Sequence, residues 1–402
     1  MTPRHQRPLA RRKLLVALGG MAVAAPVAAA VAPHALAEVG SDDAAPKAGA
    51  AGGLPLTIVN GTGSFGNGDV HVYIVGNVDG RQVRVTPDGT VAPVALSDNG
   101  ADGYTDYAID LASSGETELN LPHLSGRIYV SLGAKLKFKA VADGSGNAAL
   151  QYPAGWVESD PNYGVLHDCA EFTYNSSGMF CNTTMVDMFS VPLGIRLTGA
   201  KDQTTGTVRA GGRAAVFDAV RKVEEFAPLV VDDTRVIAPG HGLDAGLFPK
   251  DYLAPYIDEV WSTYTGKDLR ITTNAGTFTG RVRGDRMTFD GPAQVSFARP
   301  STRDVLFCDG SLAAPNDGTT GPVAAVLGAG FNRSTLVSSA DQPTTDPATF
   351  YGTALTNHYS RAVHAATEDG RAYGFAFDDV ADFASYIQDT APTGFRLTLG
   401  AL

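Results

Sequence analysis

Alternation of charged and apolar residues along positions 135–140 (KLKFKA) restricts the fold of this chain more than any other feature. A period of two places one side of a segment on a core and the other side in water, which is typical of a β-strand. Positions 56–59, 70–75 and 128–132 are further strand candidates, separated by Gly, Asn and Asp residues that favour turns. The first third of the folded chain is therefore predicted to form a β-sandwich or barrel.

Helical spacing replaces this alternation in the middle of the chain. The successive patterns are helices at 216–223 and 253–264, strands at 269–307, helical spacing at 323–366 and a final strand at 395–399. Gly266 is expected to cap the second helix. The predicted fold class is mainly β, with a β lobe of about residues 54–205 plus the C-terminal strands, and a mixed α/β lobe of about residues 206–370.

The first 37 residues have the pattern of an export signal. They contain five basic residues and no acidic residue, and the pair Arg11-Arg12 precedes an apolar run over positions 14–32. Positions 35–37 (ALA) supply a small-x-small cleavage site, so residues 1–37 are predicted to be a signal peptide. The paired arginines indicate the twin-arginine route, although Ala10 occupies a position where Ser or Thr is usual. A membrane anchor is the alternative, but two glycines and a proline interrupt the apolar run.

Residues 38–53 are rich in Ala, Gly, Asp and Pro without apolar periodicity, which predicts a disordered spacer. Residues 54–402 are then expected to fold as one functional unit. The net charge of −11 argues against a partner that is bound through its phosphates, so no nucleic acid is expected. These features predict a secreted, extracellular protein without membrane association after cleavage.

Motifs for common cofactors and metals are weak or missing. Positions 61–66 (GTGSFG) match the glycine pattern of dinucleotide-binding folds, but a strand follows at Val70 where such a fold needs a helix. The eight histidines are too scattered to indicate a metal site, and His358 and His364 are interpreted as surface or core residues. We therefore expect neither a cofactor nor a metal.

Three cysteines, an odd number for an exported protein, permit one disulfide bond at most. Cys169 and Cys181 bracket most of an informative segment, and a bond between them would stiffen it. The other interpretation is that these two residues and Cys308 are all buried thiols. Spacing alone does not choose between these alternatives.

That segment is residues 171–189 (EFTYNSSGMFCNTTMVDMF). In a strand, alternation places Glu171, Thr173 and Asn175 on one face, and such a row of carboxylate, hydroxyl and amide groups suits a sugar. The following turn is expected to lead into a returning strand that carries Asp187 among apolar neighbours. A carboxylate in that setting needs a partner or a chemical task, the alternative being an Asp that ties down a turn.

Two carboxylates in one cleft are the minimum equipment for cleaving a glycosidic bond. One must be protonated to donate to the leaving oxygen, and the other must be ionised to activate water or attack the sugar. Glu171 and Asp187 are the favoured pair. Glu158, Asp160 and Asp168 lie close in sequence and remain alternatives.

Residues 171–189 resemble the glycoside hydrolase family 64 endo-β-1,3-glucanases, which release laminarioligosaccharides, typically the pentasaccharide. The resemblance extends over residues 54–402 and includes positions 307–310 (FCDG) and 330–335 (GFNRST). Positions 373–379 (YGFAFDD) are similar to a stretch of thaumatin-like proteins. The resemblance implies a thaumatin-like β-barrel or sandwich lobe, a mixed α/β lobe, a wide groove between them, and an inverting mechanism without metal.

The resemblance also implies roles for residues at matching positions. Glu171 matches the general acid and Asp187 the general base, while Thr173 and Asn175 match residues that line the sugar subsites. Phe180 departs from the family, which commonly has Trp at this position. A Phe ring can still stack on a glucose face, but it has less surface and lacks the indole N–H.

Trp156 and Asp160 complete the predicted substrate-binding residues. Trp261 lies on the apolar stripe of a predicted helix and is interpreted as a core residue. The two Asp residues at 378–379 precede a helix-like run at 380–388, so at least one of them is expected to be an N-cap.

The sequence thus predicts a secreted, monomeric endo-β-1,3-glucanase acting on linear β-1,3-glucans such as laminarin, curdlan or fungal wall glucan. A thaumatin-like protein that binds β-1,3-glucan without cleaving it is the alternative, because fold alone does not establish chemistry. A structural protein of the cell wall is a third interpretation, supported only by the export signal and the spacer. The presence of both Glu171 and Asp187 favours the enzyme.

Exchange of Arg11 and Arg12 for Lys tests the export route. If the twin-arginine route is used, R11K/R12K should abolish secretion, and the secreted parent should begin at Glu38 when its N-terminus is sequenced. Secretion at the parental level would indicate the general route instead. An N-terminus well before Glu38 would contradict the cleavage site.

Overall fold

The computed structural model describes residues 53–402. The predicted signal peptide, residues 1–37, and all but the last residue of the predicted spacer lie outside the described residues. The described chain is mainly β, with several sheets and a smaller share of helix, which confirms the fold class at that level. None of the helices between residues 53 and 402 is long and apolar enough to cross a membrane.

The strands are, in chain order, β1 (Leu54–Asn60), β2 (Val70–Val78), β3 (Arg81–Val85), β4 (Val91–Pro93), β5 (Ile109–Asp110), β6 (Thr117–Leu121), β7 (Leu124–Leu132), β8 (Lys139–Ala142), β9 (Ala148–Gln151), β10 (Leu166–Asn175), β11 (Gly178–Thr183), β12 (Met188–Phe189), β13 (Leu193–Thr198), β14 (Asp202–Thr205), β15 (Val230–Val231), β16 (Arg235–Ile237), β17 (Leu269–Thr273), β18 (Gly276–Arg283), β19 (Arg286–Asp290), β20 (Val295–Ala298), β21 (Asp341–Gln342), β22 (Tyr386–Asp389) and β23 (Gly394–Leu399). The α-helices are α1 (Gly212–Arg221), α2 (Pro239–Asp244), α3 (Ala254–Gly266), α4 (Thr302–Phe307), α5 (Thr320–Asn332) and α6 (His358–Ala366).

Two large sheets pack face to face as a β-sandwich. A five-stranded sheet has the order β14-β13-β23-β1-β6, and an eight-stranded sheet has the order β22-β11-β10-β7-β2-β3-β4 with β5 paired to β2. Ile58 and Leu397 of the first sheet and Val72, Ile128 and Phe172 of the second are almost fully buried in one apolar cluster. The last strand, β23, pairs in parallel with β1, so the two ends of the described chain share a sheet.

Side chains alternate along each strand, so every second residue of the eight-stranded sheet points away from the sandwich core. On part of this opposite face the side chains are mostly polar. Cross-strand pairing arranges these side chains in two neighbouring rows, which we call the polar face. The first row is Arg127, Glu171 and Asn182, and the second row is Ser125, Thr173, Phe180 and Gln388. Glu171, Thr173 and Asn175 therefore share a face, as the alternation predicts.

A mixed α/β region packs beside the sandwich. Its five-stranded sheet has the order β20-β19-β18-β17-β21, and β12, β16 and β15 form a separate three-stranded sheet. Val216 of α1 and Ile257, Val260 and Trp261 of α3 are buried in one apolar cluster with most of α5. The predicted apolar stripe of α3 is thus confirmed as core, including Trp261. In α1 the stripe is confirmed at Val216 and Val220, whereas Ala219 is exposed.

Some element boundaries differ from the sequence predictions. Exposed and buried residues alternate along 135–140 as expected, but the strand, β8, begins only at Lys139. Helix α4 lies where the pattern predicts a strand, because the Ser301 hydroxyl caps its first turn. Gly266 is the last residue of α3 rather than its cap.

All three cysteines are buried free thiols, so the alternative of a disulfide bond is wrong. Cys169 and Cys181 point to opposite sides of the eight-stranded sheet, since Cys181 lies opposite Phe172 and packs in the sandwich core. Burial raises the pKa of the Cys181 and Cys308 thiols above the ordinary value. Such thiols are poor nucleophiles at neutral pH.

Asp378 lies at the centre of a buried polar cluster. Its carboxylate accepts hydrogen bonds from Arg333 Nη2 at 2.9 Å, His364 Nε2 at 2.8 Å and the Gly374 amide at 2.9 Å. The expected capping role is wrong, because residues 380–388 form turns and the start of β22 rather than a helix. Burial opposes ionisation, but His364 and Arg333 outweigh burial and lower the pKa of Asp378.

Asp378→Ala should destabilise the fold by about 3–5 kcal/mol, because it leaves the buried Arg333 without its ion-pair partner. Since the pKa of Asp378 is lowered by folding, its contribution is present above about pH 4 and is lost as the pH falls further. Asp341→Ala, which removes an exposed ion pair with Arg270, is the control and should leave the urea midpoint nearly unchanged. Equal losses in the two variants would contradict a structural role for the buried pair.

Candidate active site

Glu171 lies in β10, and its carboxylate is held by the two neighbouring strands. Arg127 of β7 donates to Glu171 Oε1 from Nη2 at 2.8 Å and from Nε at 3.1 Å. Asn182 of β11 donates from Nδ2 to Glu171 Oε2 at 3.3 Å. Both partners are direct cross-strand neighbours of Glu171, so the strand register itself places them.

Asp187 lies in a bend before β12 rather than in the returning strand that the sequence predicts. The strand that returns from β10 is β11, and it ends at Thr183. Residues of the mixed α/β region hold the bend by hydrogen bonds to backbone carbonyls of the bend. The Tyr359 hydroxyl donates to the Met185 carbonyl at 2.6 Å, and the Ala238 amide donates to the Asp187 carbonyl at 3.0 Å.

Arg127 is shared between the two carboxylates. Its Nη1 lies 4.0 Å from Asp187 Oδ2 and donates to the Tyr129 hydroxyl at 3.1 Å, while Nη2 and Nε hold Glu171. Burial opposes the charged guanidinium, but Tyr129, Glu171 and Asp187 outweigh burial and raise the pKa of Arg127. The guanidinium therefore stays charged, holds Glu171 by two hydrogen bonds and attracts Asp187.

His241 of α2 is a second partner of Asp187. Its Nε2 lies 2.7 Å from Asp187 Oδ1. Trp156 stacks on the imidazole with ring centroids 4.4 Å apart, and Phe307 packs against the imidazole at 5.4 Å and nearly a right angle. Trp156 is only 8% exposed, so it offers a sugar less of its surface than an open platform would.

A pocket is lined by Arg127 and Asp187, whereas Glu171 is not among its lining residues. Its lining is Arg127, Tyr129, Pro153, Trp156, His167, Asp168, Cys169, Thr184, Asp187 and Met188. The pocket combines aromatic and apolar walls with a few charged groups, which is the usual composition of a small-molecule site.

Thr173, Asn175 and Phe180 continue the polar face towards the turn between β10 and β11. The Thr173 and Ser125 hydroxyl oxygens are 2.8 Å apart, and Asn175 Oδ1 accepts a hydrogen bond from the turn at 2.8 Å. Phe180 is the cross-strand partner of Thr173, and its side chain is partly exposed. One aromatic ring thus lies next to polar groups in the row adjoining Glu171.

Asp168 lines the same pocket, but its carboxylate is engaged by the backbone. It accepts hydrogen bonds from the amides of Cys169 at 3.0 Å, Ser190 at 2.9 Å and Val191 at 3.3 Å. Burial raises the pKa of Asp168 to about 7, although these hydrogen bonds oppose the shift. Asp168 therefore ties β10 to the segment after β12, which favours a structural role.

Asp160 and Glu158 lie in a turn before β10. Asp160 Oδ1 accepts hydrogen bonds from the amide and from Nδ2 of Asn162, both at 2.8 Å. Asn162 in turn pairs with the backbone of Lys137. The structure therefore brings Glu171 and Asp187 to one guanidinium and leaves Asp160 to stabilise a turn.

Two carboxylates on one guanidinium can serve as a proton donor and a proton acceptor on either side of a bound molecule. Among residues 53–402, no group of three or more His, Cys, Asp or Glu side chains is arranged to hold a metal ion.

Arg127 and His241 are not among the residues that the sequence singles out. The signal that could have found Arg127 is the alternation of Ser125, Arg127 and Tyr129. The strand candidate at 128–132 begins one residue too late to include Arg127. His241 follows a proline and a glycine and precedes another glycine, so no period of two or 3.6 marks it.

Comparison with known proteins finds one family model, described as β-1,3-glucanase of glycoside hydrolase family 64, that matches residues 52–399. Two curated proteins named glucan endo-1,3-β-glucosidase, from Arthrobacter sp. (strain YCWD3) and Cellulosimicrobium cellulans, are each 34% identical over 374 residues. The matches cover 89% of this chain and 66% of each relative, so the chain spans slightly less than two thirds of their length.

A solved structure is also similar. It is a crystal structure of a laminaripentaose-producing β-1,3-glucanase in complex with laminaritetraose, with a TM-score of 0.79 and 35% sequence identity. The match covers 87% of this chain and 98% of that chain.

Proposed function

The chain belongs to glycoside hydrolase family 64, the β-1,3-glucanases, and from this we propose that it is an endo-β-1,3-glucanase. The resemblance stated from residues 171–189 is confirmed by the family match. The observation that carries the proposal is the meeting of Glu171 and Asp187 at Arg127, which lies in the polar face and lines a pocket together with Asp187.

In the proposed mechanism, Glu171 binds the glucan in its protonated form and donates that proton to the glycosidic oxygen, and Arg127 then stabilises the carboxylate that remains. Asp187 accepts a proton from the water that attacks the opposite face of the same glucose. Such an inverting reaction requires the two carboxyl groups to be roughly 6.5–9.5 Å apart, so that water fits between them. The position of Arg127 between the carboxylates supports this arrangement, since a guanidinium keeps them from direct contact. Inversion would convert the β-linkage into an α-anomer.

The proposed substrate is linear β-1,3-glucan, bound along the polar face by a monomer. Asn175 would hydrogen-bond to sugar hydroxyls, and Phe180 would stack on a glucose ring. Thr173 is proposed to do the same as Asn175, although it is only 8% exposed and its hydroxyl pairs with Ser125. Trp156 and Asp160 are weaker candidates, because Trp156 stacks on His241 and Asp160 holds Asn162. A groove between a thaumatin-like lobe and the mixed region is part of the proposal, supported by the two-sheet sandwich.

Laminaripentaose is the proposed main product, and the protein is proposed to act outside the cell. The similarity to a laminaripentaose-producing enzyme supports the first proposal. The basic, then apolar, N-terminal pattern supports the second.

Glu171→Gln and Asp187→Asn keep the size of each side chain and remove its proton chemistry, so each should lower kcat roughly a hundredfold or more while glucan still binds. Initial rates on linear β-1,3-glucan measure this, with β-1,4-glucan as a substrate that should not be cleaved. Glu118 in β6 and Asp202 in β14 are exposed carboxylates on the five-stranded sheet of the sandwich. Glu118→Gln and Asp202→Asn are therefore matched controls and should retain parental rates.

Chromatography of the parent's products should show laminaripentaose, and NMR of fresh product should show the α-anomer first. An initial β-anomer would establish a retaining reaction and refute the proposed roles. Near-parental activity in either variant would move the assignment to Asp168, Asp160 or Glu158. Binding of glucan without any release of reducing sugar would support the non-catalytic alternative.

Phe180→Ala should raise KM several-fold, because loss of one stacking ring removes roughly 1 kcal/mol of binding. Phe180→Trp should bind at least as well, since indole offers a larger surface. Phe172→Leu is the matched control, because Phe172 lies in the same hairpin but points into the sandwich core and should affect thermal stability rather than KM. Parental KM values in both Phe180 variants would place the stacking ring elsewhere.

A further inference from the structure

The imidazole of His241 is held by aromatic side chains. Trp156 stacks on it with ring centroids 4.4 Å apart and planes inclined by 24°. Phe307 packs against it at 5.4 Å, and the Arg303 guanidinium lies over the Phe307 ring at 4.4 Å. Arg303 is fixed in turn by two hydrogen bonds of 3.0 Å to Asp244 at the end of α2. The plane of the imidazole is therefore set by packing.

Helix α2 holds both the backbone and the side chain of Asp187. The Ala238 amide, just before the helix, donates to the Asp187 carbonyl at 3.0 Å. His241 Nε2 lies 2.7 Å from Asp187 Oδ1. Gly240 allows the Phe307 ring to pack closely on α2, since a Cβ at this position would lie 3.1 Å from that ring. Asp187 is thus held by the mixed α/β region at both its carbonyl and its carboxylate.

A carboxylate that activates water must present one oxygen to that water in a fixed direction. Rotation about two side-chain bonds would otherwise spread its oxygens over several orientations. An ionised carboxylate only accepts hydrogen bonds, so the short contact requires the proton on His241 Nε2. With Oδ1 held there, Oδ2 is the oxygen on the side of Arg127, at 4.0 Å from Nη1.

We propose that His241 is a positioning residue for the hydrolytic reaction: its Nε2–H donates to Asp187 Oδ1 and orients the carboxylate for attack by water. This inference rests on the proposed role of Asp187 as general base. His241 itself touches neither the sugar nor the water in this assignment.

Two amide substitutions at position 241 separate positioning from packing. The Gln amide reaches the place of the imidazole Nε2, whereas the shorter Asn amide does not, and both remove the aromatic ring. His241→Asn should lower kcat by about tenfold or more with KM nearly unchanged, because a misdirected base slows chemistry without weakening glucan binding. His241→Gln should recover most of the parental kcat. His358→Gln, at a histidine that packs on Phe226, is the control and should keep parental kinetics.

Equal loss in the Asn and Gln variants would assign His241 to packing and overturn the proposal, and so would parental kcat in His241→Asn. In an Asp187→Ala background, His241→Asn should cause no further loss, because its effect acts through the carboxylate. A further large loss in that background would also overturn the proposal.

NMR of the full chain labelled with ¹⁵N-histidine tests the contact even if His241→Asn melts early. The His241 Nε2–H proton should appear downfield in the parent and lose that shift in Asp187→Ala. An unchanged signal would refute the hydrogen bond. If the parent releases no reducing sugar from linear β-1,3-glucan, the proposed function fails. If Asp187→Asn keeps parental activity, the assignment of Asp187 as general base fails, whereas an inactive Asp187→Asn with a fully active His241→Asn refutes only the positioning role.

Discussion

Burial of the Arg127 guanidinium in the face of a β-sheet is costly unless carboxylates compensate its charge. Glu171 takes two of its hydrogen bonds and Asp187 lies 4.0 Å from its Nη1, so the cation and the two carboxylates stabilise one another. Loss of Arg127 would leave the two carboxylates without the cation that they share, whereas loss of either carboxylate would leave Arg127 paired with the other. Arg127 is therefore the residue of this group that is hardest to exchange on its own.

The two carboxylates reach Arg127 from different parts of the fold. Glu171 belongs to a regular strand with paired neighbours on both sides, so the sandwich determines its position. Asp187 lies in a bend whose backbone is anchored by Tyr359 and Ala238 of the mixed α/β region. The separation of the carboxylates consequently depends on how that region packs on the sandwich, a property that no local sequence window contains.

This division explains what the sequence could and could not predict. Period-two alternation placed Glu171, Thr173 and Asn175 on one face, because strand geometry is local. The sequence predicts a strand at Asp187, where the structure has a bend, since its apolar neighbours are buried by tertiary contacts rather than by alternation. The sequence predicts an N-cap at one or both of positions 378–379 and misses the buried cluster of Asp378 for a similar reason: its partners, Arg333 and His364, lie 45 and 14 residues away in the chain.

In the proposed function, the general acid Glu171 and the sugar-binding residues lie in adjacent rows of the same sheet. The first row carries Glu171 between Arg127 and Asn182, and the second carries Thr173 and Phe180. Residues two positions apart in a strand, such as Glu171 and Thr173, point to the same face, but their side chains contact different partners on the neighbouring strands. A change from Trp to Phe in the second row alters the surface available for stacking without disturbing the hydrogen bonds of the first row. If the proposed function is correct, substitutions in the second row would change the affinity for sugar while the hydrogen bonds of Glu171 stay constant.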